Sequence, residues 1–101
     1  MRIRLSKQTL QVLDALLTRP GQWLHGYSLS QSTGIASGTL YPILMRLDKL
    51  HWLETRWEEA KIPGRPPRHL YRLSGTAREW AREEIRTAGE QRFWKPAEHE
   101  A

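Results

Sequence analysis

The chain has 101 residues, with 16 Lys and Arg against 11 Asp and Glu, a formal net charge of +5, and a length that suits one small domain with a modest core. Its composition, 39% hydrophobic and 27% charged, is that of a soluble globular protein, and no apolar run is long enough to span a membrane or, in the N-terminal MRIRLSKQ, to act as a signal peptide. Cysteine is absent, which excludes disulfides and thiolate metal sites and fits a reducing cytoplasm.

Residues 6–18 place Leu10, Leu13, Leu16 and Leu17 on one helical face, with Ser6 as the N-cap. The RPG at 19–21 stops this helix, and QWLHG holds Trp23 and Leu24 in a short extended piece. GYSLSQST fits a second, short helix closed by Gly34 in a left-handed C-cap. The third helix, in SGTLYPILMRLDKL, gathers Leu40, Ile43, Leu44, Leu47 and Leu50 on one arc facing the core. Pro42 is tolerated only near a helix start, where the first N–H groups lack partners anyway. The start therefore falls between Ser37 and Thr39, and either residue can be the cap.

From Trp52 the period changes to two. Leu53, Thr55 and Trp57 share one side of a strand and Glu54, Arg56 and Glu58 the other. AKIPGRPP is a loop, too long for a tight turn, so its tip stands off the body. RHLYRLS resumes a strand with Tyr71 and Leu73 on one side. In SGTAREWAREEIRTAGEQ a last helix carries a narrow stripe of Ala77, Ala81, Ile85 and Ala88, with Trp80 beside it and Thr76 and Glu79 at capping-box spacing. FWKPAEHEA is a polar tail with two aromatics at its root. The predicted fold class is α+β and mostly helical. It is a winged helix-turn-helix of three helices and a two-stranded β wing, with one further C-terminal helix. Residues 1–75 are assigned to the DNA-binding domain and 76–101 to a dimerisation helix and tail.

Positive charge is densest in KIPGRPPRHLYR, which holds Lys61, Arg65, Arg68 and Arg72 and no acid. Such density points to a polyanion. On the third helix the arc opposite the core carries Gly38, Pro42, Met45 and Lys49, with Tyr41 and Arg46 on its flanks. Ser37, Thr39 and Tyr41 offer hydroxyls to phosphates or base edges, and Pro42 and Met45 suit thymine methyls. Arg65 and Arg68 are expected on phosphates or in the minor groove. A lone helix with so narrow a stripe is not stable unaided. It can dock on its own domain, but the preferred expectation is the first helix of a second copy, with Leu10, Leu13, Trp80, Ile85, Phe93 and Trp94 at the interface. Such a two-fold dimer sets two recognition helices about one DNA turn, roughly 34 Å, apart.

His25, His51, His69 and His99 each stand alone, so no metal is expected. No phosphate loop, serine elbow or carboxylate pair is visible, so neither an enzyme nor a cofactor is expected. Three readings follow. The first is a DNA-binding regulator. The second is a winged-helix protein-interaction module that does not read DNA. The third is a regulator that senses a ligand at a hydrophobic dimer interface.

The motifs HGY, SGTLYPILMRLDKLHWLE and GRPPRHLYRL, at their observed spacing, resemble the PadR family of transcriptional regulators over residues 10 to 80 or so. The resemblance implies a dimeric winged-helix protein that binds double-stranded DNA, usually as a repressor, and in some members releases it on binding a small hydrophobic or phenolic effector. The chain differs from many members in lacking a long C-terminal helical domain. It also has His51 where the family usually places a glycine to close the recognition helix.

Overall fold

Ser6 opens the first helix, α1 (Lys7–Thr18). Its hydroxyl accepts from the Thr9 N–H at 3.1 Å and meets the buried Thr9 hydroxyl at 2.8 Å, so the cap also satisfies a polar group in the core. This computed structural model describes residues 5–91 and 93–96; the end of the polar tail, including His99, lies outside them. A short strand β1 (Leu24–His25) leads into α2 (Gly26–Thr33), which ends at Gly34 in the left-handed region with φ 74°, as expected. Then come α3 (Ser37–Lys49), the hairpin of β2 (Leu53–Glu58) and β3 (Arg68–Leu73), and α4 (Gly75–Glu90).

The core is built where the periodicity places it. Leu13, Leu16, Leu29, Leu40, Ile43, Leu44 and Leu47 form one buried cluster with Leu53, Tyr71, Leu73, Ala77 and Ala81. Alanines on α4 let it lie close to α1, and Ala77 and Ala81 are completely buried there. Leu50 departs from the expected arc and is exposed, because α3 ends at Lys49 and the chain turns away. His51 makes that turn at φ 62°. Its N–H donates to the Asp48 carbonyl at 2.9 Å and the Trp52 N–H to the Leu47 carbonyl at 3.0 Å. These two bonds are the Schellman closure that glycine usually provides.

Two caps differ from expectation. The N-cap of α3 is Ala36, not Ser37 or Thr39, and no side chain caps the helix. Ile35, buried just before it, fixes the entry of the chain, and the Ala36 carbonyl accepts from both Thr39 and Leu40 at 3.0 and 2.9 Å. Pro42 thus sits beyond the first turn and removes the bond the Gly38 carbonyl would accept. Both residues are exposed, so water can replace it. In α4 the cap is Ser74, whose hydroxyl accepts from the Ala77 N–H at 3.2 Å, and not Thr76. The Ser74 N–H donates to the Trp52 carbonyl at 3.0 Å, which locks the helix start to the chain leaving α3.

The sheet is antiparallel in the order β1-β3-β2, so the wing has a third strand beyond the expected two. Leu24 pairs with Tyr71 and His25 with Leu70, while Leu53, Thr55 and Trp57 face Leu73, Tyr71 and His69. The alternation along β2 is as expected, but of its inner side only Leu53 is buried and Trp57 is 65% exposed. The hairpin leaves the body after its first residues. Leu70 is buried on the opposite face. Side chains from both edges cross β3 on that face: the Arg56 and Arg72 guanidiniums lie 4.7 and 4.3 Å from the Trp23 ring centre, and His25 Nε2 is 3.2 Å from Glu58 Oε1. Cation–π stacking and charge-assisted pairing thereby hold the base of the wing to the segment before α2.

Candidate nucleic-acid interface

The third helix turns its unburied side to solvent. Ser37, Gly38, Thr39, Tyr41, Pro42, Met45, Arg46 and Lys49 are all exposed, as expected for a surface that meets a partner. With no side-chain cap, the Ser37 and Gly38 amides at the start of α3 are left for an outside acceptor, and the positive end of the helix dipole lies beside the Ser37 and Thr39 hydroxyls. The only acid on α3 is Asp48, near its far end. The exposed residues do not form one patch. Arg46 and Lys49 flank a small niche shared with Leu5, Ser6 and Thr9 on the α1 side. Tyr41 and Met45 face the wing.

Tyr41 is the most constrained of them. Its ring lies over Gly26 at the start of α2, where an added Cβ would sit 2.5 Å from the hydroxyl and 2.9 Å from ring carbons. The glycine of the HGY motif is there for contact with another helix, since it carries no positive φ.

The loop between β2 and β3, residues 59–67, is exposed throughout. Its tip, Ile62-Pro63-Gly64-Arg65, has the pattern of a type II turn, with Gly64 at φ 90° and the Arg65 N–H donating to the Ile62 carbonyl at 3.3 Å. Arg65 stands at the end of this turn. Arg68 belongs to the strand rather than the loop, opposite Glu58.

Between α3 and the inner face of the wing runs an open groove of about 650 Å³. Its wing side is an aromatic ladder that composition alone does not reveal. Trp57 stacks on His69 with ring centres 4.5 Å apart and planes 11° from parallel. His69 Nδ1 is 3.1 Å from the Tyr71 hydroxyl. Burial, then the Tyr41 and Asp48 charges, push the Tyr71 phenol above its ordinary pKa of 10.0, so it remains neutral. The α2 side of the groove carries Tyr27, 70% exposed, whose hydroxyl accepts from Gln31 Nε2 at 2.7 Å. Tyr27, Trp57 and His69 were not among the expected site residues. The alternation in β2 and β3 puts Trp57 and His69 on the α3 side, and only the unknown register hid their stacking.

The residues expected at a dimer interface divide into two sets. Leu10 and Leu13 are buried within the single chain, beneath its own α4, so they are core rather than free surface. Ile85 is half-buried against the same core. Trp80 is 47% exposed and packs on Trp52 with ring centres 5.6 Å apart. The Phe93 N–H donates to the Ala88 carbonyl at 2.9 Å, which folds the tail root back. Phe93 then lies under the Lys7 ammonium, 5.5 Å from its ring centre. Trp94 lines a cleft of about 780 Å³ between α1 and α2.

Three helices, an exposed third helix and a β hairpin standing beside it define a winged helix-turn-helix protein. Solved structures share this fold. A PadR family transcriptional regulator from Eggerthella lenta superposes with a TM-score of 0.68 at 24% identity, over 83% of this chain and 77% of that one. A PadR family regulator from Clostridium difficile gives 0.68 at 13% identity, over 86% and 92%. PcaV of Streptomyces coelicolor, solved with its natural ligand, gives 0.67 at 21% identity, over 88% and 60%. No curated protein sequence is detectably similar. The sequence profile of the transcriptional regulator PadR-like family matches residues 12–83, most of the chain, and the chain belongs to that family of regulators, which are not enzymes. Among the described residues, no helix is long and apolar enough to cross a membrane.

Proposed function

We propose that the chain is a homodimeric, sequence-specific DNA-binding regulator that acts in the cytoplasm as a repressor. In this reading α3 lies in the major groove and the wing holds phosphates or the adjacent minor groove. The observation that carries it is the exposed face of α3, which begins with uncapped amides and hydroxyls and stands beside a loop whose tip presents Arg65. Such a face suits a polyanion with base edges to read. Residues 76–101 contribute to the dimer, with Trp80 as its exposed aromatic. Sequencing the genomic fragments the protein retains is the test. A pseudo-palindrome with half-sites about one helical turn, roughly 34 Å, apart supports the reading. Retention of fragments without a shared motif refutes it.

A second reading adds an effector. The cleft bordered by Trp94, Leu24 and Leu29 and otherwise lined mostly by polar side chains suits a small phenolic compound, and PcaV was solved with its natural ligand. Quenching of tryptophan fluorescence by such compounds, lost in Trp94→Phe, is the expected sign. A screen in which no compound quenches would remove it.

A further inference from the structure

A face that reads DNA gains nothing from Asp48. It is the only acid on α3 and it is exposed, and its carboxylate has no ion-pair or hydrogen-bond partner among the described residues. It borders the groove between α3 and the wing, where it repels a polyanion. The residues around it carry aromatic rings. Trp57 is 65% exposed, and its stack on His69 occupies one face of the indole and leaves the other open. Tyr41 lines the α3 side from its seat on Gly26, and the buried Tyr71 lies between the two. The Tyr71 phenol feels the charges of both Tyr41 and Asp48, so the acid and the rings act on one space.

The faces of aromatic rings carry negative potential and attract cations, most strongly in tryptophan. A hydrated inorganic ion gains little from such walls. An alkylated ammonium has apolar groups to bury and a diffuse charge that the rings can reach. We propose that the groove binds a small organic cation, an aryl-bearing quaternary ammonium, with its charge toward Asp48 and its apolar body against Trp57 and Tyr41. The volume of about 650 Å³ lies within the roughly 300–1,000 Å³ of small-molecule sites. Arg68 also borders the groove, but at the outer end of the wing and opposite Glu58, so the cation is directed inward, to the α3 side. Tyr41 and Met45 belong both to this wall and to the face assigned to DNA. An occupied groove therefore competes with a duplex. That competition, unlike the site itself, rests on the DNA-binding reading.

The experiment titrates benzyltrimethylammonium into the full chain and follows the tryptophan indole N–H signals by NMR. The expected result is a saturable shift of the Trp57 signal, which is identified by its loss in Trp57→Leu. Binding should be roughly five- to tenfold weaker in Asp48→Asn and in Trp57→Leu, the scale of one lost ionic or cation–π contact. The neutral 2-phenylethanol should bind more weakly than the cation by a similar factor. Both substituted side chains are exposed and outside the core, and thermal melts confirm that the variants fold. Asp48→Asn should bind a duplex at least as tightly as the wild type, because it removes an acid from that face. At constant ionic strength the cation should release the duplex from the wild type and not from Asp48→Asn. Equal affinity for the cation in the wild type and Asp48→Asn overturns the site, as does equal binding of the charged and neutral compounds. No saturable shift, or a shift confined to the Trp94 signal, overturns it too. A protein that binds the cation in this way and binds no duplex upholds the site and refutes the DNA-binding reading.

Discussion

Gly26→Ala isolates the contact that holds Tyr41. In the helix, alanine is better than glycine by roughly 0.5–1 kcal/mol. The new methyl, however, would sit 2.5 Å from the Tyr41 hydroxyl, and crowding of this kind costs typically about 1–3 kcal/mol in a closed site. Tyr41 is 43% exposed, so its ring can swing outward instead of straining the backbone. The two effects nearly cancel, and the thermal midpoint should move little. The ring, however, leaves the place it holds in the proposed DNA interface. Affinity for a selected duplex should fall about tenfold, comparable to losing one charge-assisted hydrogen bond. A double-mutant cycle sharpens the test. In a Tyr41→Ala background the methyl meets no ring, so Gly26→Ala should stabilise by up to about 1 kcal/mol and should not weaken DNA binding further. Anisotropy titrations and thermal melts of the four proteins suffice. Unchanged DNA affinity in Gly26→Ala, or additive losses in the double variant, would refute the argument that Gly26 positions Tyr41.

Other outcomes follow from single contacts. Arg65→Ala should weaken binding to all duplexes and lower the salt slope by about 1, and an unchanged slope would remove the wing tip from the phosphates. Ser74→Ala should cost about 1 kcal/mol in a thermal melt and Thr76→Ala almost nothing, since Ser74 supplies the cap of α4; equal losses would contradict that assignment. Tyr71 bears on alkaline stability. Its folded pKa is raised, so its contribution is complete below the unfolded value near 10.0 and declines as pH rises beyond it. Tyr71→Phe should flatten the alkaline limb of a stability–pH curve, and a limb of unchanged slope would count against it.

What could be read from the sequence was mostly what repeats. The Leu40, Ile43, Leu44 and Leu47 arc, the Ser6 cap and the Gly34 stop each depend on a few neighbouring residues, and the structure has them in place. Features set by distant packing were hidden. Two residues, Leu24 and His25, are too few to show an alternation, and they become a strand only because β3 offers them an edge. Ala36 caps α3 because Ile35 is anchored before it, a tertiary cause that overrides the better capping chemistry of Ser37. Leu10 and Leu13 read as an interface because the narrow-striped last helix seemed to need the first helix of a second copy, and α4 packs instead on α1 of the same chain. At the interface the expected helix and loop residues are exposed, but the meeting of Tyr41 with Gly26 and of Trp57 with His69 required knowing which elements approach.

The wing's two ends are built differently. Near the body it is gripped on both faces, by the core beneath Leu53, Tyr71 and Leu73 and by the Trp23–arginine stack over the side where Leu70 is buried. Beyond Glu58, which is still tied to His25, the connecting residues 59–67 are exposed throughout. In mechanical terms it is a cantilever: the root sets its direction and the free end carries the load. Changes in length at the Pro63-Gly64 tip should therefore leave the fold intact while altering how far the arm extends. Reach can then vary between related regulators without rebuilding the domain that aims it.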